Sequence, residues 1–174
     1  MSSPRKMALR IFPKPFALLL LTLLLGACGF HLRGQAGMPF KSLYIDTTSP
    51  KTPLITELRR DLESNQVKLV ATADQADVVL QIVSEISDKQ ILTLNTSGRV
   101  TEFRLNYRIS LRAYDHKQQE WIPAEEMALR RDYSYDDTLV LAKESEENLL
   151  TQSMRSEMAQ QILRRLSRAR PQPQ

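Results

Sequence analysis

Glu102-Phe-Arg-Leu-Asn-Tyr-Arg-Ile-Ser-Leu-Arg-Ala113 alternates polar and apolar side chains without a break. Phe103, Leu105, Tyr107, Ile109, Leu111 and Ala113 share one parity; Glu102, Arg104, Asn106, Arg108, Ser110 and Arg112 share the other. Successive side chains of a strand point to opposite faces, so the stretch predicts a strand with one buried face and one turned to water or a partner. Upstream, Asn95-Thr-Ser-Gly98 reads as a turn. Before it Val78–Val83 reads as a strand, with a bend at Ser87-Asp88-Lys89 ahead of Ile91-Leu-Thr-Leu94. Downstream, Asp115–Gln119 turns the chain into a strand over 120–135, with Met127, Leu129, Tyr133 and Tyr135 on one parity. Pro123 pushes the early part of that strand toward an edge or a bulge.

The flanks supply the helices. Ser42–Asp46 predicts a short strand, and Thr52-Pro53 starts a helix over 53–65 whose stripe is Leu54, Ile55, Leu58 and Leu62. Val67–Val70 is a small additional strand. A second helix runs from about Lys143 to Ala169, with Leu150, Met154, Met158, Ile162 and Leu166 at four-residue spacing. Its start is acidic (Glu144, Glu146, Glu147) and its end basic (Arg164, Arg165, Arg168, Arg170), which complements the helix dipole. The fold class is therefore α+β, two helices packed on one four-stranded, or with Val67–Val70 five-stranded, mostly antiparallel sheet. Residues 41–170 form one domain, and 171–174 a disordered tail.

The N-terminus is of another kind. Phe16–Leu25 is nearly all apolar but only ten residues long, too short to span a bilayer. Arg5, Lys6, Arg10 and Lys14 precede it and Gly26-Ala27 follow, the layout of an export signal over 1–27. Leu25-Gly26-Ala27-Cys28 resembles the bacterial lipobox, which makes Cys28, the sole cysteine, a lipidation site. Several acyl chains on one residue anchor durably where one would bind only marginally. Gly29 stands where lipoproteins kept at the inner membrane usually carry Asp, so the expected address is the outer membrane. Residues 28–40, with Gly34, Gly37 and Pro39, read as the lipidated N-terminus and tether.

Charge sharpens this division. The whole chain carries 24 Lys+Arg against 20 Asp+Glu. The four basic residues of the leader hold the entire excess, leaving 20 basic against 20 acidic side chains over residues 28–174. A nucleic-acid partner is therefore not expected. Catalytic chemistry is equally thin. His31 and His116 lie outside the core elements, only five glycines are present, and the pairs Glu125-Glu126 and Asp136-Asp137 read as solvated neighbours. Neither an enzyme, nor a metal site, nor a cofactor is expected. The distinctive surface is the row Arg104, Arg108 and Arg112, about 27 Å long at strand spacing. Arg99 in the preceding turn extends it toward the hairpin end. Guanidinium forks suit phosphate or carboxylate. The same row also reads as a solvated face balanced by acids on adjacent strands.

Three stretches then carry a resemblance: Cys28-Gly-Phe-His-Leu-Arg33, Gly98-Arg-Val-Thr-Glu-Phe103, and Tyr133-Ser-Tyr-Asp-Asp-Thr-Leu-Val-Leu-Ala-Lys143 leading to Met158-Ala-Gln-Gln-Ile-Leu-Arg-Arg-Leu166. In this order and spacing the chain resembles the LPS-assembly lipoprotein family LptE. The resemblance implies an outer-membrane lipoprotein of a Gram-negative bacterium, with its body in the periplasm and within a barrel lumen. Its implied role is to plug the LptD β-barrel in a 1:1 complex, help assemble it, and bind lipopolysaccharide on its way to the outer leaflet. The family's basic residue in the Leu-Ala-Lys segment carries over to Lys143. Its basic residue at the hairpin turn falls on Thr96, where this sequence departs, with Arg99 nearby. Arg104, Arg108 and Arg112 are the further lipopolysaccharide-binding candidates. The alternative is another outer-membrane lipoprotein, an envelope transport auxiliary or scaffold without a barrel partner.

Overall fold

In the computed structural model, which describes residues 37–172, strand β1 (Ser42–Thr47) leads into helix α1 (Pro53–Ser64). Thr52 caps the helix from extended backbone, its Oγ1 accepting the Ile55 amide hydrogen at 3.4 Å. Pro53 fills the first turn, where no amide hydrogen is required. The stripe Leu54, Ile55, Leu58 and Leu62 is fully buried. Past Asn65, Gln66 turns the chain at φ +63°, and the Val67 amide donates back to the Leu62 carbonyl at 3.0 Å. Strand β2 (Lys68–Leu69), a single 3-10 turn at Ala73–Gln75, and the long strands β3 (Val78–Leu94), β4 (Val100–Tyr114) and β5 (Glu120–Ser134) follow. Helix α2 (Val140–Arg168) closes the fold.

The sheet order is β2-β1-β3-β4-β5. The short pairings of β1 with β2 and β3 are parallel, and the long pairings of β4 with β3 and β5 are antiparallel. This is the expected α+β arrangement, with β2 as the fifth strand. On β4, Leu105, Tyr107, Ile109, Leu111 and Ala113 are buried beneath the helices, whose share of the core includes Met154, Met158, Ile162 and Leu166 of α2. Pro123 sits on an edge strand, inside the register break between Leu111↔Glu125 and Ala113↔Ile122, where it interrupts no regular ladder. Phe40, at the end of the expected tether, is buried in the same core.

Two details differ from the sequence reading. The bend at Ser87–Lys89 is absent, because β3 pairs residue by residue with β4 through Asp88↔Asn106, Lys89↔Leu105 and Gln90↔Arg104. Ladder hydrogen bonds join backbones and so tolerate a polar run that side-chain patterning reads as a break. Helix α2 starts at Val140, so its first turn is free of acids and only its basic end, Arg165 and Arg168, matches the dipole.

Truncating Ile109, fully buried on β4, to Ala is expected to cost about 2–5 kcal/mol in urea unfolding, whereas Ser110→Ala on the opposite face stays within about 0.5 kcal/mol. Gln66→Gly is expected to stabilise by about 0.5–1 kcal/mol, because the left-handed backbone costs a side-chain-bearing residue more than glycine's extra unfolded-state freedom takes back.

Candidate functional site

The β3–β4 hairpin ends in the turn Asn95–Gly98. The Asn95 Oδ1 accepts the Ser97 and Arg99 amides, both at 3.0 Å, and Gly98 supplies φ +76°. Tyr135 follows β5 and donates its amide to the Thr101 carbonyl at 2.8 Å, which brings the 134–143 segment to the same end. There the Arg99 Nη1 meets the Asp137 carboxylate at 3.0 Å while its side chain stays 70% exposed. Lys143 lies deeper, 16% exposed, its Nζ donating to the Glu146 carboxylate at 2.8 Å and the Ser134 hydroxyl at 3.2 Å. Thr96 is exposed in the turn.

Apolar side chains surround these cations without being covered. Ile91, Leu92 and Leu94 near the hairpin end and Leu139, Val140 and Leu141 at the start of α2 are all exposed, Leu141 at 82%. The sequence reading missed them, because the Leu139-Val140-Leu141 run precedes the amphipathic part of the helix; an unbroken apolar triplet beside Asp136-Asp137 was the available signal. Beneath them Phe103 stacks on Tyr133 at 5.8 Å and meets Tyr135 edge-on at 5.0 Å, with the Lys89 ammonium 4.8 Å from its ring centre. Lys89 and the Tyr133 hydroxyl both donate to the Glu147 carboxylate, at 2.7 and 2.6 Å. Burial would raise the pKa of Glu147, but these two donors outweigh it and hold the group below its ordinary value of 4.5. Burial, followed by the Glu147 carboxylate, pushes the Tyr133 phenol up.

The arginine row lies on the sheet face opposite the helices, and each member has its own partner. The Arg104 Nε and Nη2 form a fork on Asp132 at 2.8 and 2.9 Å. Arg108 reaches Asp88 at 3.4 Å, and its buried Nε has no partner. The Arg112 Nε donates to the Gln81 side-chain oxygen at 2.6 Å, and its guanidinium lies 5.0 Å from the Tyr114 ring centre. The row therefore exists as a row, and for Arg104 and Arg108 acids on the flanking strands answer it. Arg130, exposed and with no ion-pair partner among the described residues, joins Asp88, Arg104, Asn106 and Arg108 around a hollow of about 310 Å³. The structure thus brings Lys143 and Arg99 together at one end and sets Arg104, Arg108 and Arg112 along the open face. Cys28 lies outside the described residues.

A family model described as LptE, lipopolysaccharide-assembly, matches residues 40–166. The LPS-assembly lipoprotein LptE of Pectobacterium atrosepticum is 29% identical over 150 residues, covering 84% of this chain and 80% of that protein. Its namesake from Photorhabdus laumondii is 28% identical over 158 residues, covering 84% and 85%. Among solved structures, the solution structure of lipoprotein B from Nitrosomonas europaea aligns with a TM-score of 0.69 at 37% identity, covering 80% of this chain and 90% of that one. The crystal structure of the rare lipoprotein B from Shewanella oneidensis gives 0.62 at 28% identity, covering 71% and 91%.

Glu147→Gln is expected to destabilise the fold at neutral pH. Because the folded-state pKa of Glu147 lies below its ordinary value of 4.5, the wild-type advantage is full above that value and disappears as pH falls through the folded pKa. Urea midpoints of the two proteins should therefore differ near pH 7 and draw together as the pH falls below the folded-state pKa.

Proposed function

The chain belongs to the LptE lipopolysaccharide-assembly family, and from that premise we propose that it is a non-enzymatic outer-membrane lipoprotein anchored through Cys28. In this reading it plugs the LptD β-barrel as a 1:1 partner, helps the barrel assemble, and binds lipopolysaccharide on its way to the outer leaflet. The observation that carries the reading is the hairpin end, where Lys143 and Arg99 stand among the exposed Ile91, Leu94, Leu139 and Leu141. A phosphorylated, acylated glycolipid needs that combination of cation and apolar surface. The open sheet face supports the barrel role, since its arginine and acid side chains suit the polar interior of an outer-membrane barrel.

Binding at Lys143 is an exchange. The ammonium already serves Glu146 and Ser134, so a phosphate must draw it away from a carboxylate, and the net gain is modest. Such a site holds its ligand and releases it, as transport requires. Arg99, more exposed and paired only with Asp137, adds a second cation on the hairpin side.

Lys143→Glu is expected to weaken lipopolysaccharide binding about 10- to 100-fold, the loss of one charge-assisted contact plus like-charge repulsion, with the far-UV spectrum unchanged and the melting temperature lowered by loss of the Glu146 pair. Glu146→Gln, which removes the competitor, should strengthen it. Wild-type affinity in Lys143→Glu would remove this residue from the site. Gentle detergent extraction should bring a large barrel protein down with the chain, and recovery of the chain alone would count against the plug.

A further inference from the structure

The opposite end of the molecule carries a second cationic surface. Helix α2 has 29 residues, which sets its C-terminal turn about 40 Å from Lys143 at helical rise. At that turn Arg164, Arg165 and Arg168 rim a hollow of about 360 Å³ floored by Trp121, Ile122 and Pro123. A second hollow, of about 260 Å³, is mixed in character, with Met38, Leu163 and Arg164 beside Asp61, Asn65 and Gln160. Arg165 is engaged by Glu125 at 2.6 Å, whereas Arg164 and Arg168 are exposed and form no ion pair among the described residues. Arg170 donates to the Ala169 carbonyl at 2.7 Å.

The helix dipole explains cations in the last turn. It does not explain why the unpaired pair Arg164 and Arg168 borders the apolar side chains of Trp121, Ile122 and Pro123, or why a tryptophan lies between them and the start of the described chain. Trp121 packs edge-on against Phe40 at 5.9 Å, and its indole nitrogen donates to Asp115 at 3.4 Å. Tryptophan and long cationic side chains, each with an apolar body and a polar tip, are the residues suited to a membrane–water boundary. The chain also enters the fold here. Cys28 precedes Phe40 by twelve residues, at most about 40 Å of extended chain.

We propose that the end formed by Trp121, Arg164, Arg165 and Arg168 docks on the headgroups of an anionic phospholipid surface. The guanidinium groups meet headgroup phosphates, and the apolar side chains of Trp121, Ile122 and Pro123 take the glycerol region beneath them. The orientation rests on the reading of Cys28 as the lipid anchor, because an anchor joined to Phe40 brings this end to the bilayer first and the patch then holds it there. The patch itself does not depend on the anchor. Several acyl chains at Cys28 would hold the chain at the bilayer but leave the body free to tumble, and a basic patch on the headgroups supplies the orientation.

The test uses residues 28–174, carrying Cys28→Ser so that no acyl chain contributes. It is sedimented with vesicles of phosphatidylcholine alone or with one third phosphatidylglycerol, at low and high salt. The expected result is at least tenfold stronger partitioning onto the phosphatidylglycerol vesicles, abolished by high salt. Arg164→Glu with Arg168→Glu should lower that partitioning at least tenfold. The milder pair Arg164→Gln with Arg168→Gln, which keeps the helix end intact, should give an intermediate drop. Arg59→Glu with Arg60→Glu, the same charge change on α1, should leave it unaltered. Partitioning that ignores the phosphatidylglycerol, that survives in both Arg164/Arg168 variants, or that falls equally in the α1 variant overturns the proposal. So does binding confined to lipopolysaccharide micelles. Labelled palmitate incorporation by the wild-type chain reads the anchor separately: its failure with vesicle binding intact removes the anchor and leaves the patch.

Discussion

Strand β4 separates two environments, and most of the molecule's behaviour follows from that separation. It lies between two long antiparallel neighbours, so its hydrogen-bonding capacity is satisfied on both edges and neither face is needed for backbone pairing. One face is then free to be wholly apolar. Ile109 and Ala113 are completely buried, Leu111 nearly so, and helix α2 lays Met154, Met158, Ile162 and Leu166 in the same core. The other face is free to be charged, because nothing in the described fold covers it. A one-residue slip would exchange the faces and bury Arg104, Arg108 and Arg112 beneath the helices, which desolvation forbids.

The apolar face does not keep its character along the whole hairpin. From Ile109 toward the hairpin end, the residues that β3 and β5 present toward the helices include Glu85, Lys89 and Arg131 in place of aliphatics. Each finds a polar partner: Glu85 accepts from Thr52 and the Tyr107 hydroxyl, Lys89 donates to Glu147, and Arg131 to Glu157. The hairpin projects past the short β1, which pairs with β3 only as far as Ile82, so water reaches this part of the interface. Partly exposed ion pairs hold such a joint with little net energy. The hairpin end is thus fastened less firmly than the body, and its apolar side chains stay on the surface.

These differences in local physics decide what could be read in advance. β4 and the stripes of α1 and α2 were legible because burial of one face imposes a period on the sequence. The cap of α1 was legible because Thr52-Pro53 has a local mechanism. Continuous β3 was not, since Ser87-Asp88-Lys89 owes its strand conformation to pairing with β4, a contact between chain segments that periodicity does not register. The arginine row was legible as a row, yet its compensation was not. Asp88 and Asp132 lie 20 and 28 residues from the arginines they meet, and only strand register selects them. Lys143 entered through resemblance alone, and the apolar triplet beside it escaped because it lies ahead of the amphipathic part of α2.

Net neutrality of residues 28–174 conceals two cationic ends of different chemical character. At the hairpin end every cation is already committed: Lys143 to Glu146, Arg99 to Asp137, Lys89 to Glu147. An incoming anion there replaces one carboxylate with another negative group, so affinity rests on the difference between two similar interactions and on the apolar surface alongside. At the end of α2, Arg164 and Arg168 have no carboxylate to surrender, and an anion gains their charge without displacing a partner. The first arrangement favours exchange and the second favours residence. An acyl anchor joined beside the second, together with residence of the patch on headgroups, would direct the exchanging end away from the leaflet that holds it.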